Sequence, residues 1–158
     1  MKRMISILCV ALIVFSFAGC QKKATATVNF YYRTTSVAYN TQTSVIQPEQ
    51  RSIDINLSDL EGILKLYLDG PNSGKFESPF PSGTVLRTVQ AGKDVTSVVL
   101  SNHISKLSGI ELMIACACLA TTVLEISQSQ TIQIRAESEL LNNSEYLEFT
   151  AENLQLFA

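Results

Sequence analysis

The chain reads as an α+β domain, with a mainly antiparallel sheet and two helices packed on one of its faces. Three observations predict this. Two windows of helical spacing, near residues 58–69 and 108–125, are separated by two strand-like runs. Alternating apolar residues mark a strand before the first helix, and a second such alternation follows the other helix. The resulting order is β, α, β-hairpin, α, β, which suits an α+β sandwich.

In chain order, Val28, Phe30 and Tyr32 alternate with Asn29 and Tyr31 and predict the first strand. Thr34 to Gln47 is rich in Ser, Thr, Asn and Gln and fits either a long loop or a poorly patterned strand. Ile53 and Ile55, around Asp54, suggest a short extended stretch. Ser58-Asp59-Leu60-Glu61 reads as a capping box: the Ser58 hydroxyl takes the amide three residues on, and Glu61 reaches back. Leu60, Ile63, Leu64, Tyr67 and Leu68 then share one helical face, and Gly70-Pro71 ends the helix.

Pro81 suits the second position of a tight turn, with Gly83 at its close. Thr84 to Gln90 and Val95 to Leu100 read as a hairpin over Ala91-Gly92-Lys93-Asp94. Ser108-Gly109-Ile110-Glu111 repeats the capping box before a helix reaching about Glu125. That helix is apolar almost all round, as a deeply buried helix is, and its Ala and Cys residues would let it lie close to a sheet. Ile132, Ile134 and Ala136 alternate with Thr131, Gln133 and Arg135, so one face of this strand meets the core and the other meets water. Tyr146 to Phe149 predicts a last short strand.

The N-terminus adds an address. Lys2 and Arg3 precede the apolar run Met4 to Phe15, and Phe17-Ala18-Gly19-Cys20 closes it. A basic tip, a short apolar core and small residues form an export signal. The run falls short of the about 20 apolar residues of a membrane span. The cysteine after Ala-Gly resembles a bacterial lipoprotein signal, with Phe17 where Leu is usual. That resemblance implies diacylglycerol on the Cys20 thiol and cleavage just before it. The expected organisation is a signal peptide at 1–19, a tether at 20–27 and one domain at 28–157. Cleavage leaves 158 − 19 = 139 residues and, without Lys2 and Arg3, moves the formal charge from −2 to −4. From residue 125 onward, Glu125, Glu137, Glu139, Glu145, Glu148 and Glu152 face the single base Arg135. No basic stripe offers itself to nucleic acid, so no nucleic-acid partner is expected.

No catalytic, cofactor-binding or metal-ligating residue is assigned, and no enzyme is expected. His103, the only histidine, follows a strand beside no cysteine and no acid, and reads as a solvated loop residue. Ser82 and Ser108 read as turn and cap. Gly70, Gly74 and Gly83 lack phosphate-loop spacing. Cys116 and Cys118, two apart on a helix, point to nearly opposite sides and read as small buried hydrophobes. Glu137 and Glu139 read as solvated acids.

From Leu57 to about Leu140 the chain resembles the GerMN domain of bacterial sporulation and germination lipoproteins, the GerM-like family. The resemblance lies in a helix ending Leu68-Asp69-Gly70-Pro71 and in the run Ser78-Pro79-Phe80-Pro81-Ser82-Gly83-Thr84. It continues through a hairpin ending Val98-Val99-Leu100-Ser101, the apolar helix, and the Ile132/Ile134 strand. It implies a lipid-anchored protein on the extracytoplasmic face of the cell membrane, with a fold related to ring-building modules. Its function would be that of a non-catalytic assembly module whose partner is an envelope protein or another copy of itself. The exposed side of the last clear strand, Thr131, Gln133 and Arg135, is the candidate partner surface. The competing expectation is a small envelope lipoprotein that binds a soluble peptide or glycan. A concave pocket lined by Tyr31, Tyr39 or Phe80 would favour it.

Overall fold

Residues 25–35, 44–54 and 59–155 are described by the structure, a computed structural model. β1 (Ala26–Thr34) pairs antiparallel along its length with β2 (Ile46–Ile53) and at its end with the two-residue β3 (Phe76–Glu77). A second sheet has the order β4-β5-β6-β7, from Leu86–Gln90, Val95–Leu100, Thr131–Ala136 and Leu147–Thr150. Only β5 and β6 run parallel. A parallel pair needs a long crossover, and the chain supplies it as a 3-10 turn (Asn102–Lys106) followed by a helix at Gly109–Ser127. That helix is α2. α1 spans Leu60–Leu68, and the one-turn α3 spans Ala151–Leu154.

The α+β class and the mainly antiparallel pairing are as the sequence implied. The single sheet with two helices on one face is corrected to two sheets and a third, short helix. The reason is the place of α2. It packs against β1 on one side and against β6 and β7 on the other. Two sheets take its flanks, so its apolar character extends almost all round: Leu112, Ala115, Cys116, Ala117, Cys118, Leu119, Ala120 and Val123 are fully buried. Ile110, in the first turn, is the exception at 72% exposed. The length and hydropathy of α2 would suit a membrane span, but here it is the core helix of a folded domain.

β1 leaves part of one edge unpaired, and side chains from the helices complete it. The Tyr31 amide donates to Thr122 Oγ1 at 3.0 Å, and Tyr67 Oη donates to the Tyr31 carbonyl at 2.9 Å. Both Tyr31 backbone groups therefore point away from β2. Their register partner on β2 is Pro48, which has no N–H to offer and is tolerated on an edge strand for that reason.

Of the stretch left open, Thr34 to Gln47, residues 36–43 lie outside the described residues and its last two begin β2, whose inward row carries little apolar patterning. Glu49 and Arg51 stand where a half-buried strand ordinarily carries apolar residues. Glu49 is 8% exposed. Its carboxylate accepts from the Asn72 amide (3.1 and 3.2 Å), the Ser73 amide (2.7 Å) and Arg51 Nε (2.6 Å). Arg51 Nη2 donates to the Gly70 carbonyl at 2.6 Å, and its guanidinium lies 5.0 Å from the Phe30 ring centre and 5.6 Å from that of Tyr32. Tyr32 stacks on Tyr67 at 4.9 Å, and Phe80 meets Tyr67 edge-on at 5.8 Å. This aromatic group, from β1, α1 and the Pro-rich loop, joins the first sheet to the rest of the core.

Local signals held in part. The alternations at Val28/Phe30/Tyr32 and Ile132/Ile134/Ala136 bury the residues they assigned to the core, and the hairpin of β4 and β5 forms as read. Ser58 and Ile55 lie outside the described residues, and the cap of α1 is Asp59, whose Oδ1 accepts from the Gly62 amide at 2.9 Å. The start is one residue later than the capping box required. Glu61 is thus free to pair with Lys65 one turn on, at 2.7 Å. Ser108 does stand at the N-cap of α2, but its hydroxyl makes no cap bond. Glu111 makes no capping box either, because its carboxylate is held by Arg33 of β1 at 2.6 Å. Among the described residues a capping box joins Thr150 and Asn153 on α3.

Pro81 opens its turn rather than taking the second place, since its carbonyl accepts from the Thr84 amide at 3.1 Å. Gly83, at φ +87, supplies the left-handed conformation the turn needs.

Candidate functional site

The family-like motif residues turn out to serve the fold. Phe80 enters the aromatic core. Ser101, which closes β5, receives the Val85 amide on its Oγ at 3.1 Å and donates its own amide to the Val85 carbonyl at 2.9 Å, fastening the Pro-rich turn to the sheet. His103 is exposed in the 3-10 turn, with its ring against Gly83 and Nδ1 3.5 Å from Ser101 Oγ. Glu137 pairs with Arg87 at 3.0 Å, and Glu139 accepts from Ser105 Oγ. Cys116 and Cys118 are free, buried thiols, and burial pushes both up to about 12. Among the described residues no group of three or more His, Cys, Asp or Glu side chains could hold a metal ion. Cys20 and the signal and tether segments before residue 25 lie outside the described residues.

Two surfaces remain. The first is the outward row of β6. Thr131, Gln133 and Arg135 are partly exposed, opposite the buried Ile132, Ile134 and Ala136. Gln133 Nε2 donates to Glu148 Oε2 across the pair with β7, at 3.1 Å. Ser97 is Gln133's register partner on β5, and Val99 is that of Arg135. Arg135 enters no ion pair among the described residues, which leaves a cation on a face that also carries Val95 and Val99 of β5. The sequence located this row through period-two alternation alone.

The second surface involves Tyr31, one of the aromatics expected at a pocket. A cleft of about 510 Å³ opens between β1, β2, the C-terminal half of α2 and α3. Tyr31, Ile46, Thr121, Leu124 and Leu154 supply its mostly apolar wall, and Glu125 stands at its edge. Tyr31 Oη donates to Glu125 Oε2 at 2.8 Å, and Asn29 Nδ2 donates to Oε1 at 2.7 Å. Burial, with the Glu125 carboxylate beside it, pushes the Tyr31 phenol up to about 12, so it stays a neutral donor. Phe80, the other described aromatic expected at a pocket, is in the core, and Tyr39 lies outside the described residues. Sequence reasoning missed Leu124, Glu125 and Leu154. They meet Tyr31 only in space, and no spacing in the chain signals it.

A central helix between two sheets, with a partly exposed polar row on one of them, defines an α+β domain. The chain belongs to the Germane family, described by sporulation and spore germination, whose model matches residues 29–142. Among curated protein sequences none matches it. Solved structures agree on the fold. The tandem GerMN domains of the sporulation protein GerM from Bacillus subtilis superpose with a TM-score of 0.59 at 16% identity, over 82% of this chain and 46% of that one. The first GerMN domain of the same protein superposes with a TM-score of 0.59 at 12% identity, over 81% of this chain and 99% of that one. A candidate lipoprotein from Clostridium perfringens gives a TM-score of 0.48 at 18% identity, over 85% of this chain and 93% of that one, too loose a superposition to bear on function.

Proposed function

We propose that the protein is a lipid-anchored, extracytoplasmic assembly module that acts without catalysis in an envelope complex of sporulation or spore germination. The observation that carries this reading is the family match over 29–142, whose description names a cellular process and no reaction. The anchor is Cys20, supported by the basic tip, short apolar core and Ala-Gly-Cys ending. A two-chain lipid holds a protein stably where one chain is marginal. The contact surface is the row Thr131, Gln133 and Arg135. Its polarity suits a weak or regulated contact better than an obligate hydrophobic one.

Crosslinked pull-down from membranes of vegetative and sporulating cells tests both parts. Arg135→Glu is expected to reduce crosslinked complexes while thermal stability stays unchanged. Unchanged partners and complex size in that variant would move the interface elsewhere. Cys20→Ala is expected to leave an uncleaved precursor without lipid label, and normal processing with label would remove the anchor from Cys20.

A second reading, binding of a soluble peptide or glycan, has one observation in its favour: the Tyr31-lined cleft. Its volume falls within the roughly 300–1,000 Å³ of ligand sites.

A further inference from the structure

We propose that the cleft beside Tyr31 takes a basic, apolar peptide segment of a partner protein, a large aliphatic or aromatic side chain flanked by lysine or arginine. The inference rests on the second reading above and gives it a ligand chemistry. Ile46, Leu124 and Leu154, with the Tyr31 ring, offer an apolar seat for one large side chain.

Charge decides the flanks. Glu125 is exposed at the edge, and its two described partners, Tyr31 and Asn29, are neutral donors. Among the described residues it enters no ion pair, and no Lys or Arg lines the cleft. The carboxylate therefore has no cation beside it among the described residues while its position is fixed by two hydrogen bonds, so a cation can pair with it at little ordering cost. Glu152 adds a second acid on α3, one residue from the lining residue Ala151. The field at this end of the molecule favours a basic partner and repels an acidic one.

Tyr31 is also held from behind. Its amide is bonded to Thr122 and its carbonyl to Tyr67, so the wall is anchored to both α1 and α2. A seat that does not rearrange on binding is the usual condition for a ligand site.

The protein has no tryptophan, so a tryptophan in the ligand reports binding by its own fluorescence. The probe is the blocked peptide acetyl-Lys-Trp-Leu-Lys-amide, titrated against the purified full chain in detergent. The same peptide with glutamine, and then glutamate, in place of lysine provides the controls. The lysine peptide is expected to bind tightest and the glutamate peptide weakest. Glu125→Gln, which keeps the side-chain shape and removes the charge, is expected to weaken the lysine peptide by about fivefold, the size of one ion pair at a protein surface, and to leave the glutamine peptide unchanged. Thr121→Phe, which fills the cleft, is expected to abolish binding of both. A glutamine peptide that binds as tightly as the lysine peptide, with both lost in Thr121→Phe, would keep a ligand cleft and overturn the basic preference. Binding that survives Thr121→Phe, or no binding of any probe, would overturn the cleft itself.

Discussion

Glu49 is where a single atom-scale change should cost the fold most. Its carboxylate ties β2 to the segment after α1 and is the counter-charge of Arg51, whose side chain is only 12% exposed. Glu49→Gln keeps the shape and leaves Arg51 without an opposing charge. Removing one partner of a buried ion pair costs about 3–5 kcal/mol. The lower end applies here. Arg51 keeps the Gly70 carbonyl and two aromatic faces, and Asn72 is exposed enough for water to replace the lost acceptor. A loss of about 3 kcal/mol corresponds to a fall of roughly 6–12 °C in melting temperature for a chain of this size. The assay is urea unfolding of the full chain at pH 7, with Arg51→Met and the double variant completing a cycle. The double variant should regain much of the loss, because the uncompensated charge is gone.

A pH series supplies an independent check of the same pair. Burial on its own would raise the Glu49 carboxyl. The Asn72 and Ser73 amides and the Arg51 guanidinium outweigh it and hold the group below its ordinary 4.5. The unfolded chain then takes up this proton first. The stabilisation is complete above the unfolded value and is lost as pH falls through the lower folded value. The gap between wild type and Glu49→Gln should therefore shrink as pH drops below about 4. A loss under about 1 kcal/mol at pH 7, or a gap that does not change with acid, would refute the reasoning.

Three further outcomes follow from the caps, the phenols and the thiols. Asp59→Ala should cost about 1 kcal/mol in urea unfolding, whereas Ser108→Ala should stay within about 0.5 kcal/mol, because only Asp59 makes the cap bond. The phenols of Tyr31, Tyr32 and Tyr67 are all raised, with burial the leading cause. In an ultraviolet titration of the folded chain they should stay protonated at about pH 10, where an ordinary tyrosine is half ionised. Raised folded values favour the neutral form, so their stabilisation is full below the unfolded value near pH 10 and lost as pH rises above it. In a variant lacking Cys9 and Cys20, Cys116 and Cys118 should resist a thiol reagent in the native state and react at the rate of unfolding.

The class of fold was legible in the chain, and so were most of its elements, because each rests on a periodicity set by a few neighbouring residues. Tyr32, Ile63, Val98 and Ile134 fall in the core through nothing more than spacing of two or of three and four. The polar outward row of β6 was legible for the same reason. What tertiary structure decided lies where the partner is distant in sequence. β2 hides its strand because Glu49 and Arg51, charged residues on its inward face, satisfy each other and the Gly70–Ser73 segment instead of burying apolar surface. Glu111 leaves its capping box because Arg33, 78 positions away, binds it more directly. Two sheets replace one because α2 needs an apolar surface on both flanks, a demand visible in its composition but not in which strands would answer it. The cleft at Tyr31 belongs to the same class. It is made by β1, α2 and α3 coming together, with Asn29 and Glu125 meeting across 96 positions, and no local pattern in the chain encodes that meeting.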